Sequence, residues 1–68
     1  MKQIDARGLA CPEPVILVRK GIVESPEGVT VLVDNAAARE NIKRFAVARD
    51  YSVELAEENG EYTLTLKK

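Results

Sequence analysis

The 68-residue sequence contains no histidine, no tryptophan and a single cysteine, and these gaps remove whole classes of chemistry. Without histidine the usual general base at neutral pH is missing. One cysteine with no histidine leaves neither a Cys/His zinc cluster nor a Cys–His nucleophilic pair, so most hydrolase mechanisms are excluded and no metal or cofactor is expected. A lone cysteine cannot close an intramolecular disulfide, which suits a reducing compartment and makes any disulfide intermolecular. Aromatic residues are only 4% of the chain, so the core must be built from Val, Ile, Leu and Ala, with Phe45, Tyr51 and Tyr62 as the exceptions. No apolar run approaches the length of a bilayer, and Met1-Lys2-Gln3-Ile4-Asp5 lacks the apolar stretch of a secretory signal. The cytoplasm is the expected location. An excess of one charge is also lacking: ten basic and eleven acidic residues give a net charge of -1, which offers no general attraction to nucleic acid or to an anionic membrane.

Repeats, low-complexity tracts and linkers are absent too, so residues 1–68 read as one domain near the lower size limit for a disulfide-free core. Lys2 to Ala6 is a short strand with Ile4 facing inward. Val15, Val18 and Ile22 fall at helical spacing, which predicts a helix from Pro12 to about Ser25. Ser25-Pro26-Glu27-Gly28 ends it, because the residue before proline avoids helical geometry. Gly21 is expected to weaken its last turn by up to about 1 kcal/mol relative to Ala. Val29, Val31 and Val33 alternate with Thr30 and Leu32 in a strand over 29–34. Asp34 or Asn35 then caps a second helix from about Ala36 to Arg49, with Ala38, Ile42, Phe45 and Ala46 inside.

Two further alternating runs, Tyr51 to Glu57 and Glu61 to Lys67, flank an Asn59-Gly60 pair that favours a type I′ hairpin turn. Their inward set is Tyr51, Val53, Leu55, Tyr62, Leu64 and Leu66. The order βαβαββ, with one polar face on each strand, predicts an α/β two-layer sandwich: a four-stranded mixed sheet with both helices on one face.

In that architecture Cys11 falls between the first strand and the first helix. Pro12 suits the first helical position, where its missing N–H costs nothing, and Pro14 also lies in the first turn. The Glu13 amide is then the nearest backbone donor for a sulfur anion at the helix start, while the Glu13 carboxylate opposes that anion. Parallel pairing of the first two strands would bring both helix starts to one edge, with Asn35 at the rim of the site. The alternative is that Cys11 is simply a small buried hydrophobe.

The stretch Asp5-Ala6-Arg7-Gly8-Leu9-Ala10-Cys11-Pro12-Glu13-Pro14-Val15 resembles the signature of the TusA/SirA/YedF family, in which Cys-Pro-x-Pro opens the first helix after an Asp-x-x-Gly turn. The likeness runs along the whole chain, and Val33 to Asn41 looks most like the N-terminal domain of the YedF branch, associated with sulfur or selenium metabolism. It implies the same two-layer fold and a sulfur carrier. Cys11 would accept sulfane sulfur as a persulfide from a cysteine desulfurase or another persulfide donor and relay it to a downstream acceptor protein, with no direct nucleic-acid or membrane partner. Pro12 and Pro14 would mount the cysteine, with Glu13 between them, and Asp5 and Gly8 would shape the preceding turn. Ala10 stands where the branch serving tRNA thiolation is expected to carry a basic residue. YedF-type proteins continue into a second domain, so a domain of a longer chain and a stand-alone relative both fit.

Two other functions compete with that reading. A regulatory or protein-interaction domain would use Cys11 only for packing, and a thiol-disulfide redox protein would need an external thiol at every turnover, since no resolving cysteine is present. Leu17, on the charged side of the first helix, could form an apolar docking patch with Ile16 and Val23. Arg39, Lys43 and Arg44 could meet an acidic partner. For both groups an ordinary solvated face is the stronger expectation.

Overall fold

The computed structural model describes residues 2–9 and 13–68. Strand β1 (Lys2–Asp5) leads through a loop to helix α1 (Glu13–Glu24), followed by strand β2 (Gly28–Val33), helix α2 (Ala36–Ala48) and the hairpin of β3 (Ser52–Glu58) and β4 (Glu61–Lys67). The sheet order is β1-β2-β4-β3, with β1 parallel to β2 and both other pairings antiparallel. The expected βαβαββ mixed sheet is therefore present.

Alternation along the strands sets the two faces. Val29, Val31 and Val33 of β2 and Leu64 and Leu66 of β4 are fully buried beneath the helices, whereas Thr30, Leu32, Thr63 and Thr65 are half-buried on the opposite face. Asn59 and Gly60 both take positive φ, 52° and 80°, and Glu58 pairs with Glu61, so the hairpin closes with the two-residue turn that Asn-Gly favours. The end of β1 and both ends of β2 and β3 shift by one residue from expectation. Ala6 leaves β1 but still donates its N–H to the Leu32 carbonyl at 2.8 Å.

The buried stripe of α1 is rotated from the Val15, Val18, Ile22 line. Pro14, Val18 and Gly21 are buried, while Val15 and Ile22 flank them on one side and Leu17 on the other, all three packed against the core. The cause lies at Gly21. A Cβ there would sit 2.7 Å from Ile4 Cδ1 and 3.3 Å from Val29 Cγ1, so the missing side chain is what lets the helix settle on the sheet. Gly21 is thus a contact residue, beyond any cost to the last turn. Leu17 packs against the core and does not join Ile16 and Val23 in the apolar docking patch weighed as the lesser alternative. Ile16 is half-buried and Val23 is 77% exposed.

Helix α2 buries only Ala38, Ile42 and Ala46, with Phe45 half-buried. This stripe is narrow, and edge strand β3 extends beyond it. Leu55, expected inward, is consequently 47% exposed. Arg39 is committed rather than free: its guanidinium lies 4.8 Å from the Tyr62 ring centroid and its Nε donates to Glu40 at 2.9 Å. Lys43 and Arg44 face solvent.

Candidate functional site

The sequence places Cys11 two residues after Leu9 and two before Glu13. Cys11 and Pro12 themselves lie outside the described residues, so the site is read from the chain on either side. Parallel pairing of β1 with β2 starts α1 and α2 at the same end of the sheet, as expected. Glu13 is the exposed first residue of α1, and Pro14, besides suiting the first turn, is buried against the core. Its ring anchors the helix start by packing as well as by backbone geometry.

The loop after β1 is held by a set of hydrogen bonds. Arg7 grips the Asp5 carboxylate with two side-chain donors, Nε to Oδ1 at 3.0 Å and Nη2 to Oδ2 at 2.9 Å, and its backbone N–H also donates to Oδ1 at 3.2 Å. Its remaining arm, Nη1, reaches Glu61 Oε2 at 3.2 Å, which ties the loop to the start of β4. Bidentate pairing of this kind fixes direction as well as distance. One residue on, Gly8 takes φ +76°, a conformation costly for residues with a Cβ, and its N–H donates to Asp34 Oδ2 at 2.9 Å.

Asp34 and Asn35 divide the work at the start of α2. Asn35 is the N-cap: its Oδ1 accepts from the Ala38 N–H at 2.8 Å, and its Nδ2 donates to Asp34 Oδ1 at 3.3 Å. The Asn35 carboxamide oxygen is therefore engaged in capping. Asp5, Arg7, Gly8, Asp34 and Glu61 together line an open hollow of about 530 Å³.

Of the residues singled out by sequence, Asp5 is bound to Arg7, Gly8 and Asn35 are both bound to Asp34, and the two sets meet at the Arg7–Gly8 peptide, whereas Glu13 and Pro14 stand at the head of α1. Arg7, Asp34 and Glu61 were missed as site residues. Arg7 lies within the motif, so its spacing from Asp5 was a usable signal. Glu61 is 54 positions from Arg7 and gave none.

The Arg7 side-chain bonds, followed by the Arg7 backbone N–H, hold the Asp5 carboxyl well below the usual carboxylate range, at about 2. A carboxyl whose pKa is lower folded than unfolded contributes stability above its unfolded pKa of about 3.9 and loses it as pH falls through the folded value. The Asp5 contribution should accordingly fade between about pH 4 and pH 2. Carboxyl chemical shifts followed against pH should place the Asp5 midpoint near 2; a midpoint near 4 would mean that the Arg7 grip is not maintained in solution.

The fold and this loop define a class of small two-layer α/β domain in which the segment between the first strand and first helix is fastened to the start of the second helix. The model of one family, described as Sulfurtransferase TusA, matches residues 2–68, and the chain belongs to that family. It is 42% identical over 71 aligned positions to a protein of Methanocaldococcus jannaschii provisionally named a sulfur carrier protein, an alignment covering all of this chain and 95% of that one. The crystal structure of a SirA-like protein from Desulfitobacterium hafniense is similar with a TM-score of 0.88 at 39% identity, covering 98% of this chain and 96% of the other. Among the described residues no helix is long and apolar enough to cross a membrane.

Proposed function

We propose that this chain is a sulfur carrier, with Cys11 as the residue that holds the cargo. The observation that carries the reading is the family match along residues 2–68, in a chain whose only thiol stands in the Cys-Pro-Glu-Pro motif. A Cys11 thiolate attacks the outer sulfur of a donor persulfide. The donor S–S bond breaks, the donor cysteine leaves as a thiolate, and Cys11 holds the sulfur as Cys11–S–SH. An acceptor nucleophile then takes that outer sulfur and regenerates the Cys11 thiolate. No net oxidant or reductant is consumed in either exchange, which suits a reducing compartment such as the cytoplasm.

Asp5, Arg7 and Gly8 support this role by giving the approach to Cys11 a defined direction, and buried Pro14 anchors the exit. The sulfur donor is a cysteine desulfurase or another protein persulfide. Incubation with a cysteine desulfurase and free cysteine should add the mass of one sulfur to the intact protein, and a thiol reductant should remove it. Unchanged mass after exposure to several active desulfurases would count against the carrier reading.

A further inference from the structure

We propose that Asn59 is a site of spontaneous covalent modification, converted through a succinimide to aspartate and isoaspartate at the tip of the β3–β4 hairpin. The chemistry is independent of sulfur transfer and needs only water. The backbone nitrogen of Gly60 attacks Cγ of Asn59, the bond from Cγ to the amide nitrogen breaks, and that nitrogen leaves as ammonia with the proton given up by the Gly60 N–H. Water then opens the cyclic imide at either carbonyl. Opening at the side-chain carbonyl gives aspartate. Opening at the main-chain carbonyl gives isoaspartate, in which the chain runs through the former side chain. Nothing is oxidised or reduced.

The sequence contains three asparagines, and their surroundings separate them. Asn35 has its carboxamide engaged at both ends, Oδ1 by the Ala38 N–H at 2.8 Å and Nδ2 by Asp34 Oδ1 at 3.3 Å. Asn41 lies inside α2, where the helix fixes the backbone, and β-branched Ile42 crowds the nitrogen that would attack. Asn59 alone precedes a glycine. Glu58, Asn59 and Gly60 are all exposed, and a Cβ at Gly60 would meet no atom within 4 Å, so nothing overhangs the attacking nitrogen.

The closed turn holds the reaction back until the tip opens. Asn59 and Gly60 both occupy the left-handed region, whereas cyclisation needs the Gly60 nitrogen swung toward the Asn59 side chain. How often the tip opens is set by its closing rung. That rung pairs Glu58 with Glu61, and two carboxylates directly opposite each other weaken an antiparallel pair. The β4 side is tethered, since Glu61 Oε2 accepts from Arg7 Nη1 at 3.2 Å. The β3 side is an edge strand exposed from Glu54 onward and is free to peel away. The two products then differ in their effect. Aspartate tolerates the left-handed conformation much as asparagine does, so the aspartyl form keeps the turn. Isoaspartate adds a main-chain atom to a turn built for two residues, so the Glu58–Glu61 rung can no longer close.

The test incubates folded wild type, Asn59→Gly and Glu58→Lys in mildly alkaline buffer. Peptide mass mapping, methyl transfer from a carboxyl methyltransferase specific for isoaspartate, and thermal unfolding of the separated products are the measurements. Wild type should exchange amide nitrogen for oxygen at Asn59, well ahead of Asn35 and Asn41, and accept methyl groups there. Asn59→Gly keeps a residue suited to positive φ and should do neither. Glu58→Lys turns the like-charge rung into an opposite-charge pair and should slow the reaction roughly two- to fivefold. The isoaspartyl form should unfold at a lower temperature than the aspartyl form. No mass change at Asn59 in the folded protein would overturn the proposal, and reaction of a denatured sample alongside it would show that the fold protects the site. Reaction at Asn35 or Asn41 as fast as at Asn59 would overturn it as well. An unchanged rate in Glu58→Lys would overturn the gating by the closing rung, and equal unfolding temperatures for the two products would overturn the loss of that rung.

Discussion

Cys11→Ser is expected to abolish sulfur loading entirely. Serine keeps the approximate shape of the side chain, but its oxygen neither ionises near neutral pH nor forms a sulfur–sulfur bond. The sequence contains one cysteine, so no second thiol can take over the cargo. That makes the experiment sharper than in a protein with several thiols, where partial activity is open to more than one explanation. Intact mass after incubation with a desulfurase and cysteine is the measurement, with circular dichroism on the same sample to identify a variant that has lost its fold. Any sulfur retained covalently by Cys11→Ser would overturn the assignment. The competing interaction-domain reading separates on the wild type: a packing cysteine would leave the chain able to bind its partner while gaining no sulfur.

Gly28→Ala should produce the largest loss of stability. Gly28 opens β2 at φ +147°, a backbone conformation essentially closed to alanine, and a Cβ there would run into the Leu66 carbonyl oxygen. That obstacle is main chain in the adjacent strand, so no side-chain rotation relieves it. The surroundings are equally fixed: the Gly28 N–H donates to the Ser25 carbonyl at 3.0 Å, the Lys68 N–H to the Glu27 carbonyl at 3.2 Å, and the Tyr51 hydroxyl to the Pro26 carbonyl at 2.7 Å. Backbone strain with overpacking should cost about 3 kcal/mol or more. At about 0.05–0.15 kcal/mol per residue, a domain of this size has roughly 3–10 kcal/mol in reserve, so the loss is a large share of it. The unfolding temperature should therefore fall by at least about 12 °C, at roughly 4 °C per kcal/mol for a small domain. A shift smaller than about 4 °C would mean that β2 and β4 can separate at this point without penalty.

The contrast between Gly28 and Gly21 bears on how far a glycine can be read without coordinates. In sequence, Gly28 belongs to a turn and Gly21 is a weak point in a helix. In the fold both are contact residues, one against the Leu66 backbone and the other against the Ile4 and Val29 side chains. The difference in cost follows from what each would strike. Ile4 is a half-buried side chain on an edge strand and has some freedom to yield, whereas the Leu66 carbonyl is held in the sheet.

Features written in short stretches of sequence were legible. Period-two alternation in Val29 to Val33 and in β4 specified strands with one apolar face, Asn59-Gly60 specified the hairpin turn, and the Asp34-Asn35 pair marked the start of α2, with Asn35 as the cap decided by the structure. Each depends on neighbours within a few residues, where backbone geometry and side-chain periodicity act directly. The βαβαββ order then left few ways to cover one face of the sheet, so the architecture followed from local signals and connection rules.

Contacts between distant segments were not legible, because periodicity identifies an apolar face but not what will lie against it. The α1 stripe turned toward Pro14 and Gly21 because Ile4 and Val29 occupy the space a side chain would need, and Leu55 stayed exposed because the narrow α2 stripe does not reach across the edge strand. The site divides in the same way. The Asp5, Gly8 and Cys-Pro-Glu-Pro pattern is contiguous and could be recognised from residues alone, and the Asp34-Asn35 pair could be recognised as holding the cap. That Asp34 would receive the Gly8 N–H and Glu61 the free arm of Arg7 was decided only when the parallel β1–β2 and antiparallel β2–β4 pairings brought three strand ends together. Hydrogen bonds of this kind are specified by strand register, and register is a property of the assembled sheet.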